Sequence, residues 1–265
     1  MPEHRRRAGH GDGGRHRHGH LDDFDWEARA DALEVDGMLA RPLVDAVIAE
    51  LVTTGLDPAH VVDAGCGPGV ITCHLAEELP AASVTGLDSA GRLLDRLRGR
   101  AMAAALEGRV KTVEADLEHD LPTLDPADLV WAQMVVHHVA APVEALRRLG
   151  GLLRPGGTLV LIEFAGSPRV LPDDDPLVAG GSWRRMEEAA TASLREALGF
   201  DMIGHDWPAD LACAGFTGID DRVIAFRHEA PLDAVLRGWL VRHIRRGIGM
   251  AGDALAAADV AALEA

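Results

Sequence analysis

Val61-Val62-Asp63-Ala64-Gly65-Cys66-Gly67-Pro68-Gly69-Val70 joins a short apolar strand to a carboxylate and then to three glycines at alternate positions, with helical periodicity beginning at Val70. Glycines in such a turn let the backbone reverse sharply and approach a ligand closely, while the free N–H groups at the start of the next helix present positive potential. The stretch reads as a loop for a nucleotide-bearing ligand. A dinucleotide fingerprint needs Gly-x-Gly-x-x-Gly or Ala, but the sixth position counted from Gly65 is Val70, and the third glycine arrives one residue early. The sole lysine is Lys111, so no Gly-x-x-x-x-Gly-Lys-Ser/Thr loop exists and a P-loop is excluded. Asp63 at the loop entrance repels a pyrophosphate and attracts an ammonium, so the ligand is expected to carry a positive amine.

Working outward, Ala82-Ser83-Val84-Thr85-Gly86-Leu87-Asp88 is a second strand ending in a carboxylate, suited to accept two hydrogen bonds from a ribose diol. Val110 to Asp116 is a third strand, and its terminal Asp116 is placed to receive the amino group of an adenine. Asp128 to Gln133 is a fourth, and Leu153-Arg154-Pro155-Gly156-Gly157 is a turn feeding a fifth that runs to Glu163. Helical periodicity over Val70–Leu79, Ser89–Leu106 and Pro142–Leu149 separates these strands. Such alternation demands an α/β fold, a parallel sheet with helices on both faces and the ligand at the carboxyl ends of the strands. All three acids fall at such ends, which sets them apart from ordinary solvated loop charges.

Taken together, residues 58 to 165 resemble the class I S-adenosylmethionine-dependent methyltransferases. The resemblance implies a Rossmann-like, doubly wound, mostly parallel sheet. It implies that S-adenosylmethionine is bound and S-adenosylhomocysteine released. Asp63, Gly65, Cys66, Gly67 and Gly69 then hold the methionine part, Asp88 and Ser89 the ribose, and Asp116 with Leu117 the adenine. Ala132 and Gln133 match positions that line the sulfonium. His137-His138-Val139, followed by a helix and Leu-Arg-Pro-Gly-Gly, looks like the small-molecule branch typified by the ubiquinone and menaquinone biosynthesis enzymes. None of these residues names the acceptor.

Composition agrees. At 265 residues and 48% hydrophobic, the chain is long enough for one α/β domain with a full core and an appended substrate-covering region. Its formal charge of −16 argues against a nucleic-acid partner, which needs a basic surface. Cys66, Cys73 and Cys213 have neither C-x-x-C spacing nor an even count, so no disulfide framework or zinc site is indicated and a reducing cytoplasm fits. No apolar stretch approaches a membrane span, and no hydrophobic signal region follows the N-terminal arginines.

Residues 1–20 are Arg, His and Gly with almost no apolar content and read as a disordered tail, whose histidines lack a scaffold for metal geometry. Residues 21–56 are expected to form two helices divided at Arg41-Pro42, lying over the cofactor's mouth, with Trp26 as a lid residue or as a simple anchor on the core. The catalytic domain is expected over 57–265, interrupted after the fifth strand by a substrate-covering insertion near 165–214. Within it a helix is expected from Trp183 to Leu198 and a turn over Gly204-His205-Asp206-Trp207-Pro208. Trp183, Arg184, Met186, His205 and Trp207 are the candidate acceptor-pocket residues, with ordinary core packing the competing reading for Met186 and Trp207. Asp221 to Arg227 alternates as a sixth strand should, and Leu232–Ile248 and Asp253–Ala265 read as helices. No seventh strand follows. Either the chain is truncated or the last strand is missing, which leaves an open edge and an invitation to homodimerise.

Methyl transfer to a sulfonium-activated carbon requires alignment and exclusion of water more than a base. A hydroxyl acceptor would still gain from one, by about 10²–10⁴-fold. His137 is the first candidate, His138 the second and His205 the third. Ala132 and Gln133 supply no anion for a metal at the fourth strand, so no metal is expected. The expected activity is methylation of an O, N or C nucleophile of a small metabolite or natural product, as in secondary metabolism. The rival readings are a peptide or protein methyltransferase, a non-catalytic cofactor-binding relative, and an NAD(P)-linked oxidoreductase, against which the glycine spacing and the absence of tyrosine both speak.

Overall fold

Short apolar runs alternating with amphipathic segments can bury their surface only as a sheet sandwiched between helices. The computed structural model of the chain describes residues 26–164, 171–172, 174–198, 204–225, 228–229 and 231–265. It contains five strands, β1 (His60–Ala64), β2 (Ser83–Asp88), β3 (Val110–Glu114), β4 (Ala127–Gln133) and β5 (Leu153–Ile162). They lie in the order β3-β2-β1-β4-β5 and every neighbouring pair is parallel. After β3 the chain crosses to the far side of β1, so the order reverses between β1 and β4. That reversal opens a crevice at their carboxyl ends.

The pleat sends alternate residues to opposite faces. Val61, Val84, Leu129 and Trp131 face one way, into a core shared with Leu75 of α2 (Val70–Glu78) and Leu94 and Leu97 of α3 (Gly91–Ala103). Val62, Leu87, Val130 and Ala132 face the other way, against Leu146 and Leu149 of α4 (Pro142–Gly150) and Trp207 and Leu211 of α7 (Trp207–Ala214). The short helix α5 (Pro176–Ala179) precedes α6 (Ser182–Leu198), which packs with α8 (Ala234–Ala251) and α9 (Ala257–Glu264) around a third core of Trp183, Met186, Ala251 and Leu263. Asp259 of α9 fastens this cap by accepting from Ser182 Oγ at 2.7 Å and from Arg185 at 2.6 and 2.9 Å.

Four expectations need correction or fall elsewhere. The break at Arg41-Pro42 does not occur: α1 is one helix, Trp26–Thr53, with Pro42 inside it. An interior proline costs about 3 kcal/mol. Burying Val44 and Ile48 just beyond it, in the core against α2, returns about 1.5–3 kcal/mol each, so packing wins. The expected turn at 204–208 is instead the start of α7, where Asp206 caps by accepting from Ala209 N at 3.1 Å and Pro208 suits the first turn. The expected sixth strand is absent from its described part, 221–225. Val223 is 77% exposed, and Arg222 is drawn to Glu50 at the end of α1 and to Asp220. Alternation makes a strand only where a neighbouring edge captures it. The expected tail, residues 1–20, lies outside the described residues.

Among the described residues no seventh strand is seen, and no helix is long and apolar enough to cross a membrane.

Candidate active site

Gly65, Gly67 and Gly69 all adopt positive φ, at 72°, 53° and 79°. Gly65 shows why the position admits nothing larger: a Cβ there would lie 2.3 Å from Cγ2 of Val135, in the segment that follows β4. The loop is tied to the tip of β2 by Gly65 N and Cys66 N, which both donate to Leu87 O at 2.7 and 3.0 Å. Asp88, at that tip, accepts from Gly67 N and from Ala90 N, each at 2.9 Å. One carboxylate therefore spans the first loop and the second. Each of its oxygens keeps a further lone pair for a diol. Burial holds the Asp88 carboxyl above its ordinary pKa against the lowering effect of those amide donors.

Asp63 lies beneath the loop, fully enclosed, and accepts from Thr72 Oγ1 of α2 at 2.6 Å. Burial pushes its pKa up to about 7, the Thr72 hydroxyl opposing and the charge of Asp88 adding to the rise. A buried acid this reluctant to ionise becomes a strong partner once a cation sits beside it. Cys66 contributes backbone to the loop while its buried thiol packs into the core, and burial drives that thiol far above its ordinary pKa. Ser89 is exposed beside Asp88. Asp116 is half-exposed and accepts from Glu118 N at 2.9 Å and from the His119 ring at 3.1 Å, while Leu117 is buried in the second core with Leu87. Ala132 is fully buried and the Gln133 Oε1 accepts from the indole of Trp131 at 3.1 Å.

The segment beyond β4 holds what the sequence did not announce. Met134 is held at φ 54°, a left-handed conformation that costs a non-glycine residue on the order of 1 kcal/mol, and such strain gathers at functional sites. A single carboxylate at the tip of β5 supports the turn that follows. Glu163 Oε1 accepts from Val135 N at 3.2 Å and from Val136 N at 2.8 Å, and its Oε2 accepts from His137 Nδ1 at 2.5 Å. Both side chains are almost wholly enclosed. His137 also contacts His138 and Phe164, with ring centroids at 4.0 and 5.9 Å. Glu163 is legible in sequence only as the last residue of the fifth strand, where an acid at a strand end is its one signal.

Other candidates are placed elsewhere. His205 stacks on Trp207 at 4.6 Å and lies 3.4 Å from Asp210, and Trp207 packs against the second core, so both sit at the start of α7 beside α4. Met186 is core and Trp183 is buried against His243 of α8. Arg184 points to solvent and pairs with Glu188 at 2.8 Å. The helical period explains this: positions facing α8 are occupied by Trp183 and Met186, which leaves Arg184 outside. Trp26 opens α1, half-buried. That helix crosses directly over the glycine loop, since a Cβ on Gly37 would fall 2.8 Å from that of Val70.

The glycine cradle, a diol-accepting acid and a buried acid awaiting a cation fit an aminoacyl nucleoside better than a pyrophosphate. The comparisons agree. Residues 61–157 match the family described as "Methyltransferase domain". Over 223 residues the chain is 33% identical to the trans-aconitate 2-methyltransferase of Streptomyces coelicolor, covering 81% of this chain and 67% of that protein. A trans-aconitate 2-methyltransferase of Acidovorax sp. is 32% identical over 192 residues, 69% of this chain and 67% of the relative. An O-methyltransferase family protein from Burkholderia thailandensis shares the fold with a TM-score of 0.55 at 23% identity, over 77% of this chain and 57% of that one. The match thus spans about two thirds of these curated relatives and little more than half of that solved chain.

Proposed function

The chain belongs to the class I S-adenosylmethionine-dependent methyltransferases, and we propose that it methylates an oxygen of a carboxylate-bearing small molecule. The observation that carries this reading is the junction of the glycine loop with Asp63 and Asp88 at the switch between β1 and β4. Support for a carboxylate acceptor comes from the relatives, which are named for methylation of trans-aconitate. S-adenosylmethionine supplies a methyl carbon activated by its sulfonium. In this reading Asp88 accepts the ribose hydroxyls, Asp63 takes the ammonium, Asp116 and Leu117 frame the adenine, and Ala132 and Gln133 line the sulfonium. The free N–H groups at the start of α2 would meet the donor's carboxylate.

A carboxylate acceptor already bears the negative charge of the nucleophile, so no proton moves and no base is required. The residues beyond β4 then align the acceptor oxygen with the methyl carbon and exclude water. One observation favours a second reading, transfer to a hydroxyl: His137 Nδ1 is committed to Glu163, which leaves Nε2 as the nitrogen to take a proton. The cysteines, all free, support a reducing cytoplasm, and among the described residues the sheet ends on β5, whose outer edge is the surface on which a homodimer would pair.

The test is incubation of the protein with methyl-labelled S-adenosylmethionine and a panel containing trans-aconitate, other carboxylic acids and hydroxylated metabolites. An alkali-labile labelled methyl ester is expected. Label recovered only in alkali-stable products would replace the ester reading with the hydroxyl one, and His137→Ala would then abolish turnover. Calorimetric binding of NAD in preference to S-adenosylhomocysteine would overturn both.

A further inference from the structure

Helices α1 and α8 run side by side in opposite directions. Leu39 O of α1 accepts from His228 Nε2, just before α8, at 3.3 Å, and Asp36 of α1 accepts from Trp239 Nε1 of α8 at 2.7 Å. Residue numbers fall along α1 as they rise toward and along α8. Arg29 lies seven residues before Asp36 and Arg246 seven residues after Trp239, two helical turns on each, so the same faces bring the two guanidiniums opposite one another. This end of the helix pair is the one that overhangs the crevice: the charges of Arg29 and Arg246 both bear on His138, beyond β4, and Asp88 bears on Arg29.

Two arginines facing each other in a chain of net charge −16 call for a reason. Elsewhere Arg96 takes three carboxylates and Arg185 clasps Asp259, yet among the described residues neither Arg29 nor Arg246 forms an ion pair. Asp36, the acid of α1 whose charge bears on Arg29, is engaged by the Trp239 indole. Burial lowers the pKa of the half-buried Arg29 and the charge of Arg246 lowers it further, outweighing the opposing charges of Asp36 and Asp88, neither of which pairs with it. Partial burial also holds His138 well below the usual imidazole range, with His137 and the two arginines adding to the effect, so at neutral pH it joins them as an uncharged hydrogen-bonding ring. Such an arrangement is electrostatically incomplete without an anion. A planar guanidinium fork matches a carboxylate.

We propose that Arg29 and Arg246, with His138 beside them, form a carboxylate-binding subsite that holds a carboxylate of the methyl acceptor other than the one that reacts. The acceptor class is then a di- or tricarboxylate, oriented by one carboxylate so that another reaches the methyl carbon. The inference rests on the methyltransferase reading given above. The same chemistry has a second source in the carboxylate of the donor's methionine part, and the experiment separates the two.

The probe is tricarballylate, an unreactive tricarboxylate, titrated calorimetrically into the full chain saturated with S-adenosylhomocysteine, with its trimethyl ester as the neutral control. Tricarballylate is expected to bind and the ester not to. Arg29→Gln and Arg246→Gln should each weaken it by about tenfold or more, and Arg246→Lys by less, while affinity for S-adenosylhomocysteine stays within about twofold. Arg246 is exposed on α8, so its substitution keeps the test independent of folding, and melting temperature checks both variants. Equal binding of tricarballylate by wild type and both glutamine variants would overturn the subsite. Parallel loss of S-adenosylhomocysteine affinity would assign the arginines to the donor and overturn the acceptor role. Failure of the wild-type chain to bind S-adenosylhomocysteine would instead remove the methyltransferase reading beneath it.

Discussion

Asp88, partly buried, and Asp63, fully buried, do different work although both lie near strand ends. Asp88 is braced by two backbone donors and presents its remaining lone pairs to the crevice. Asp88→Ala should therefore weaken S-adenosylhomocysteine binding by about 1.5–3 kcal/mol, the loss of charge-assisted hydrogen bonds, and an unchanged calorimetric affinity would refute the ribose assignment. Asp63 has its pKa raised to about 7 from 3.8, so its contribution to stability is complete below about pH 4 and is lost as pH rises through about 7. Asp63→Asn removes that dependence and keeps an acceptor for Thr72. Its melting temperature relative to wild type should climb between pH 5 and pH 8, and a constant difference would show that the buried carboxyl is already ionised. Both acids were legible in the sequence because Asp63 stands just before the glycine loop and Asp88 closes the second apolar strand. Glu163 and Met134 were not, since a bracing carboxylate reveals itself only when the tip of β5 comes beside the turn at 135–137.

The glycine loop was readable residue by residue because backbone conformation there is forced locally. Gly65→Ala combines a left-handed φ with a Cβ placed 2.3 Å from Val135. It should cost about 1–3 kcal/mol in chemical denaturation and shift the segment beyond β4; retention of full stability would mean that Val135 moves freely. Helix α1 shows the opposite case. Pro42 is a sound local signal for a helix start, overridden because Val44 and Ile48 gain more by packing against α2 than the proline loses. Alternation over 221–225 failed for the same reason reversed, since Arg222 pairs with Glu50 of α1 and with its neighbour Asp220 and no strand edge captured the run. At α7, Asp206, Trp207 and Pro208 spell a capped helix start, a signal available in the sequence that was read there as a turn.

Among the described residues there are three cores, two on the faces of the sheet and a third within the cap formed by α5, α6, α8 and α9. The cap is bound together through Asp259, whose carboxyl is held down to about pH 2 chiefly by hydrogen bonds from Arg185 and Ser182. A depressed acid contributes stability above its ordinary pKa and loses it as pH falls through the folded value. Asp259→Asn should therefore lower the calorimetric melting temperature at pH 7, with the gap to wild type narrowing between about pH 4 and pH 2; a gap independent of pH would place the effect in packing alone. Because α8 also carries Arg246, loosening the cap should weaken tricarballylate binding more than S-adenosylhomocysteine binding.

The parallel sheet, the identity of the donor and the placement of Asp63 and Asp88 near strand ends were all present in the linear order of residues, because strand, acid, glycine and helix interact over a few bonds. The number of strands, the continuity of α1, the bracing of His137 by Glu163 and the meeting of Arg29 with Arg246 were settled by folding. Each of those depends on residues far apart in the chain, whose free energy of contact exists only once the sheet and cap bring them within reach.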